Sequence, residues 1–114
     1  MDGGETRALS VKHALDAIQN ADIVAIHDAA RCMVSPETVR ESIASAEAFG
    51  SGIVAGKVTD TIMQLGETGA IPLDRGRLVR MQTPQTFRFD RIRKAYETGG
   101  LSSVTDDCAL YLAA

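Results

Sequence analysis

The sequence predicts an α/β protein built on a parallel sheet of βαβ units. Two short apolar runs carry this reading, Asp22-Ile23-Val24-Ala25-Ile26-His27 and Gly52-Ile53-Val54-Ala55-Gly56-Lys57-Val58. Their length and Ile/Val content suit strands covered on both faces. The second observation is spacing. One helical segment precedes the first run and another separates the two, as right-handed crossovers between parallel strands require.

The elements follow in order. Residues 7–18 place Ala8, Val11, Leu15 and Ile18 at helical intervals, with Arg7, Lys12 and Asp16 elsewhere. The apolar run 22–27 is the first strand. Ser35-Pro36-Glu37 then opens a helix, with Ser as N-cap, Pro at the first helical position and an acid in the first turn. Val39, Ile43, Ala46 and Phe49 share one face of that helix, and Gly50 ends it. The run 52–58 is the second strand. Over 60–83 helical periodicity is absent, and Gly66-Glu67-Thr68-Gly69 between two apolar stretches predicts a hairpin turn. Leu78 to Thr83 is a further alternating segment, which extends a projecting β-arm over 60–83. Pro84 reads as loop punctuation that keeps Thr83 extended. Phe89 to Thr98 is a helix ended by Gly99-Gly100, and Thr105 is placed to cap a last helix over 106–114. The arm carries Ile62, Met63, Leu65, Ile71, Leu73, Leu78, Val79 and Met81, more apolar groups than a free ribbon tolerates in water, which predicts a homodimer through it.

The chain has 114 residues, one domain's worth, with 45% hydrophobic and 24% charged residues, which excludes a disordered protein. A net charge of −3 and the absence of Trp argue against nucleic-acid binding by a basic or base-stacking face. No apolar run reaches the ~18–20 residues of a membrane span, and the first residues lack the pattern of a secretory signal. Cys32 and Cys108 are too far apart for a Cys-x-x-Cys motif and read as reduced thiols, so the expected compartment is the cytoplasm. The first helix opens near the chain start and no strand follows the last, so 1–114 is expected to be one incomplete domain.

In open α/β sheets ligands bind beyond the carboxyl ends of the strands. His27-Asp28-Ala29-Ala30-Arg31 reaches that edge. Asp28 is either a turn cap or a carboxylate able to hold Mg²⁺ carrying phosphate oxygens, and Arg31 is either a solvated charge or a phosphate clamp. His27 ends an apolar strand and is expected to be buried and hydrogen-bonded rather than a catalytic base. His13 is expected at the surface and Cys108 in the core. Lys57 to Thr61 follows the second strand as a polar ligand site or a turn. Gln82-Thr83-Pro84-Gln85-Thr86-Phe87 is a third candidate, and Thr105-Asp106-Asp107 reads as a helix cap with acids in the first turn. Gly3-Gly4 before a helix leaves free backbone N–H groups at a positive dipole end.

Taken together and in order, these segments resemble the 2-C-methyl-D-erythritol 4-phosphate cytidylyltransferase family. The resemblance rests on Gly3-Gly4-Glu5-Thr6-Arg7-x-x-Ser10, His27-Asp28-Ala29-Ala30-Arg31, Asp60-Thr61, Gln82-Thr83-Pro84-Gln85-x-Phe87 and Thr105-Asp106-Asp107, and covers nearly the whole chain. It implies a Rossmann-like nucleotidyltransferase sheet and transfer of a cytidylyl group from CTP to methylerythritol 4-phosphate with release of pyrophosphate. It also implies that the family's N-terminal triphosphate loop and C-terminal strand have no counterpart within residues 1–114. By resemblance, Gly4, Glu5, Arg7 and Ser10 line the cytosine pocket, Asp28 holds Mg²⁺, and Arg31, Thr61 and Thr83 contact methylerythritol phosphate. Arg75 reaches the substrate phosphate of the neighbouring subunit. Asp28, Arg31 and Thr83 form the expected catalytic set. Glu5 stands where the family usually has Asp, and Cys32 where it usually has Pro. Two rival readings are a ribitol phosphate cytidylyltransferase and an inactive fragment that only self-associates.

Overall fold

The structure is a computed structural model, described here for residues 2–100 and 106–113. Its elements are α1 (Arg7–Ala17), β1 (Ile23–Ile26), α2 (Pro36–Phe49), β2 (Ser51–Lys57), β3 (Met63–Gly66), β4 (Gly69–Pro72), a short 3₁₀ turn (Arg75–Arg77), β5 (Val79–Arg88), α3 (Phe89–Thr98) and α4 (Asp107–Ala113). The expected helix boundaries hold for chemical reasons visible in the chain. Thr6 Oγ1 accepts from Leu9 N–H at the start of α1. Ser35 Oγ accepts from Thr38 N–H at the start of α2, and Gly50 closes α2 at φ +95°, where a side chain would be strained. The proposed Thr105 cap lies outside the described residues.

The sheet corrects the simplest form of the α/β expectation. Its order is β1-β5-β2, and β5 runs antiparallel to both neighbours. β1 and β2 therefore point the same way across an α2 crossover, but they do not touch. The strand between them is the segment read as a loop on account of Pro84. Proline is tolerated within a sheet where the ladder is already interrupted. That is its place here: Ile53 pairs with Gln85 and Ala55 with Met81, so the register shifts opposite Gln82–Pro84. The Thr83–Pro84 peptide is cis.

Alternation along β5 sorts the two faces. Thr86, fully buried, points to α2, where its hydroxyl shares a hydrogen bond with Ser42 Oγ (2.7 Å). Ser42 Oγ also donates to Gly52 O (2.8 Å). This approach is so close that a Cβ on Gly52 would fall 2.0 Å from Ser42 O, which leaves glycine as the residue that fits. Gln85 and Phe87 point the other way, into a core of Ala8, Leu15, Ile92, Ala95, Tyr96 and Leu110 supplied by α1, α3 and α4. Phe87 stacks obliquely on Tyr111, with ring centroids 4.8 Å apart. The result is helix–sheet–helix layering around a short three-stranded sheet.

The β3–β4 hairpin stands away from these layers. All eight of its residues are exposed, and Leu73 N–H donates to Ile62 O (2.8 Å) at its neck. The stretch from Val79 onward, expected as part of the arm, belongs to the main sheet, with Val79, Arg80 and Met81 paired to Lys57, Gly56 and Ala55. Two further expectations need correction. His27 is exposed rather than buried, because β1 ends at Ile26 and His27 begins the turn beyond it. Cys108 is half-buried on α4 rather than part of the core.

Candidate active site

The carboxyl end of β1 gathers four of the candidate residues. β1 stops at Ile26, paired with Gln85, so the next residues lie beside the bulged part of β5. There Asp28 N–H donates to Thr83 Oγ1 (3.0 Å), and the same oxygen bonds His27 Nδ1 (3.0 Å). His27 Nε2 in turn meets Arg31 O (2.9 Å), and Arg31 N–H donates to Asp28 O (3.0 Å). The loop His27–Arg31 is thus a tight turn fastened to β5 by one threonine hydroxyl. Both imidazole nitrogens are engaged, which leaves His27 a structural group at the surface.

Asp28 is held between two guanidinium groups. Arg7 approaches its Oδ1 through Nη2 (3.2 Å) and Nε (3.3 Å), and Arg31 Nε lies 3.5 Å from its Oδ2. Arg7 also donates through Nη2 to Asp107 Oδ2 (2.9 Å). The hydrogen bond that Arg7 donates to Asp107 is the main cause that pushes the Arg7 pKa further up, against the lowering effect of burial, with Asp28 adding to it. Arg7 is the first residue of α1, so this ion pair joins the helix start to the strand-end turn. At the start of α1, Gly4 N–H donates to Ser10 Oγ (2.9 Å). Gly4, Arg7 and Ser10 therefore come together, while Glu5 points to solvent. The Arg7 guanidinium itself is committed to Asp28 and Asp107.

Arg31 and Thr83 also face an open cleft of about 510 Å³, walled by Met33, Val34 and Val54. A cationic fork and a hydroxyl at one end of an apolar wall suit a small, anionic, partly apolar ligand. Thr61 and Arg75 lie apart from this group. Thr61 is exposed on the way into the hairpin, and Arg75 Nη1 donates to Thr59 O (2.6 Å) at the hairpin base. Among the described residues no hydrogen bond or ion pair links either one to Asp28, Arg31 or Thr83.

Three residues matter here to which the sequence motifs gave no individual role: Gln85 and Asp107, named only within their segments, and Tyr96. Gln85, 1% exposed, clamps α4 to the sheet: its Oε1 accepts from Cys108 N–H (3.0 Å) and its Nε2 donates to Asp106 Oδ2 (2.6 Å). Asp107 is fully buried, and the Tyr96 hydroxyl donates to its Oδ1. The available signal was the acid pair Asp106-Asp107 beside an amphipathic helix bearing Tyr96. Nothing in their spacing points to Arg7, 100 residues earlier.

The family model for IspD, 2-C-methyl-D-erythritol 4-phosphate cytidylyltransferase, matches residues 1–113. The chain belongs to this family. It is 45% identical over 115 residues to a bifunctional enzyme IspD/IspF of Rhodopseudomonas palustris strain TIE-1, covering 95% of this chain and 29% of that protein. It is 37% identical over 109 residues to 2-C-methyl-D-erythritol 4-phosphate cytidylyltransferase of Porphyromonas gingivalis, covering 96% of this chain and 49% of the relative. Among solved structures, the Thermus thermophilus cytidylyltransferase superposes with a TM-score of 0.87 at 30% identity, over 99% of this chain and 57% of that one. The Anaerococcus prevotii 4-diphosphocytidyl-2C-methyl-D-erythritol synthase gives 0.88 at 28% identity, over 97% and 53%. The chain thus spans about half the length of the single-function relatives and under a third of the bifunctional one. The antiparallel β5 between β1 and β2 is accordingly the sheet of an IspD-type nucleotidyltransferase. No helix among the described residues is long and apolar enough to cross a membrane.

Proposed function

We propose that these residues take part in cytidylyl transfer from CTP to methylerythritol 4-phosphate. The observation that supports this most is the meeting of Arg7, Asp28, Arg31 and Thr83 at the carboxyl end of β1, beside a cleft with an apolar wall. Gly4, Glu5, Arg7 and Ser10 are assigned to the cytidine end. Arg31, Thr83 and Thr61 are assigned to the sugar-alcohol phosphate, and Arg75 to that of a second copy. In the reaction a phosphate oxygen of the acceptor attacks the α-phosphorus of CTP. One P–O bond forms, the α–β bridge breaks, and pyrophosphate leaves with the electron pair. Positioning and charge neutralisation suffice for such a displacement, and no covalent intermediate is needed.

Among the described residues no three acidic, imidazole or thiol groups converge. Asp28 is a single carboxylate paired with Arg7 and Arg31, and its Oδ2, 3.5 Å from Arg31, is the oxygen that fits Mg²⁺, which takes one or two carboxylates and completes its shell with water and substrate phosphates. Asp28 would hold the ion, and the ion would screen phosphate charge. The exposed hairpin, with Leu65 82% and Ile71 65% exposed, supports a homodimer whether or not the chain turns over substrate. A cytoplasmic location belongs to the same reading.

The test is a titration of the ¹⁵N-labelled chain with Mg²⁺ and CTP, followed by methylerythritol 4-phosphate. CTP should shift the amide signals of Gly4, Arg7, Ser10 and Asp28, and the acceptor those of Arg31 and Thr83. Shifts elsewhere only, or equal shifts with ATP in place of CTP, would refute the assignment.

A further inference from the structure

Asp107 is the one charged side chain among the described residues that is completely buried. A carboxylate removed from water is costly unless its oxygens are bonded and its charge is paired. Both conditions are met. Oδ2 accepts from Arg7, and Oδ1 accepts from the hydroxyl of Tyr96, itself 1% exposed. Arg7 then leans on Asp28 with the same Nη2 and with Nε. The order of charge is Asp107, Arg7, Asp28, Arg31, alternating in sign and summing to zero. Remove Asp107, and two guanidinium groups remain on a single carboxylate. That leaves a net positive charge where a cation is to sit. Arg7 would also be free to give both of its faces to Asp28.

We propose that Asp107 is a positioning residue for the cation site at Asp28. Seated by Tyr96, it holds Arg7 at a fixed place and offsets its charge, so that Asp28, whose Oδ2 meets only Arg31 at 3.5 Å, is less neutralised than two unshared guanidinium groups would leave it. This rests on the reading of Asp28 as the residue that holds the cation. It adds a role for α4, whose first residue is Asp107: docking of that helix sets the charge balance at the carboxyl end of β1.

Two measurements on the intact chain separate the parts. The first reads the seat alone. A guanidinium N–H bonded to a buried carboxylate exchanges slowly with water, so the Arg7 Nη2 proton donated to Asp107 should give a resolved signal, assigned by its loss in Arg7→Lys. That signal should vanish in Asp107→Asn and broaden in Tyr96→Phe. The second reads the cation. Mn²⁺ affinity in the presence of CTP is measured by water-proton relaxation, with Asp28→Asn marking the fraction bound at Asp28. Asp107→Asn should bind roughly tenfold more weakly, the effect of one uncompensated charge near a partly solvated site. Tyr96→Phe, the milder change, should cost about threefold, a fraction of one hydrogen bond. If Asp107→Asn does not fold, Tyr96→Phe decides. Unchanged Mn²⁺ affinity in the folded variants, or an Arg7 signal indifferent to them, overturns the proposal while leaving the functional reading intact. A wild-type chain whose Mn²⁺ binding is the same as that of Asp28→Asn overturns the functional reading, and the proposal with it.

Discussion

Replacing Thr83 with valine tests whether one hydroxyl holds the strand-end turn in place. Valine keeps the shape and removes the acceptor. Thr83 is 6% exposed, and its Oγ1 takes the Asp28 N–H and bonds His27 Nδ1, each at 3.0 Å. His27 is exposed, so water replaces its lost partner at small cost. The Asp28 amide is only partly reachable by water and is the group left without a partner. An unsatisfied donor of this kind costs about 1–2 kcal/mol. For a domain of this size, that corresponds to a melting temperature lower by roughly 4–10 °C. Thr83→Ser keeps the oxygen and loses one methyl, so it should fall well short of that. Thermal melting followed by circular dichroism gives the stability, and the Asp28 and Arg31 amide signals report the turn. Thr83→Val melting with the wild type, or Thr83→Ser as damaged as Thr83→Val, would refute the reasoning.

Cys32 is exposed, whereas burial, then Asp106 and Asp107, push the Cys108 thiol up. Ellman's reagent should therefore react in two phases, with Cys32 first, and equal rates would contradict the half-buried placement of Cys108. Burial, then the bond to Asp107, hold the Tyr96 phenol above its ordinary value of 10.0, so the folded chain keeps a proton that the unfolded chain releases. Stability should fall as pH rises past that value, and urea midpoints on either side of it should show a smaller fall in Tyr96→Phe. Replacing residues 62–73 with a short Gly-Ser turn cuts the hairpin at the neck closed by Leu73 and Ile62, and should convert a dimer to a folded monomer by sedimentation. An intact chain that is already monomeric at high micromolar concentration removes the arm as a dimerisation element, and Arg75 loses its assigned role.

What could be read from the chain and what could not divide along a physical line. β1, α1, α2, β2 and α3 announce themselves through apolar spacing, the Ser35-Pro36 start and the Gly50 and Gly99 stops, all of which act within a few residues. β5 does not. Its central stretch, Gln82-Thr83-Pro84-Gln85-Thr86, is polar and broken by proline, yet four of those five residues are buried. They can be buried because distant groups satisfy them: Ser42 for Thr86, Cys108 N–H and Asp106 for Gln85, and Asp28 N–H for Thr83. Asp107 repeats the pattern, a capping acid by its neighbours and a buried ion-pair partner by its contact with Arg7. Local spacing carries no trace of such pairings. The polar strand is nonetheless what fastens α2, α4 and the strand-end turn to one another. Thr83, assigned to the substrate by family likeness, already spends its hydroxyl on the turn that presents Asp28 and Arg31. Any effect of Thr83 on substrate binding therefore passes at least partly through that turn. A loss of acceptor binding in Thr83→Val that is recovered in Thr83→Ser, with the Asp28 amide signal returning alongside, would locate the hydroxyl's work in holding the turn. A loss of binding in Thr83→Val with the Asp28 signal unmoved would instead point to a direct contact of the hydroxyl with the ligand.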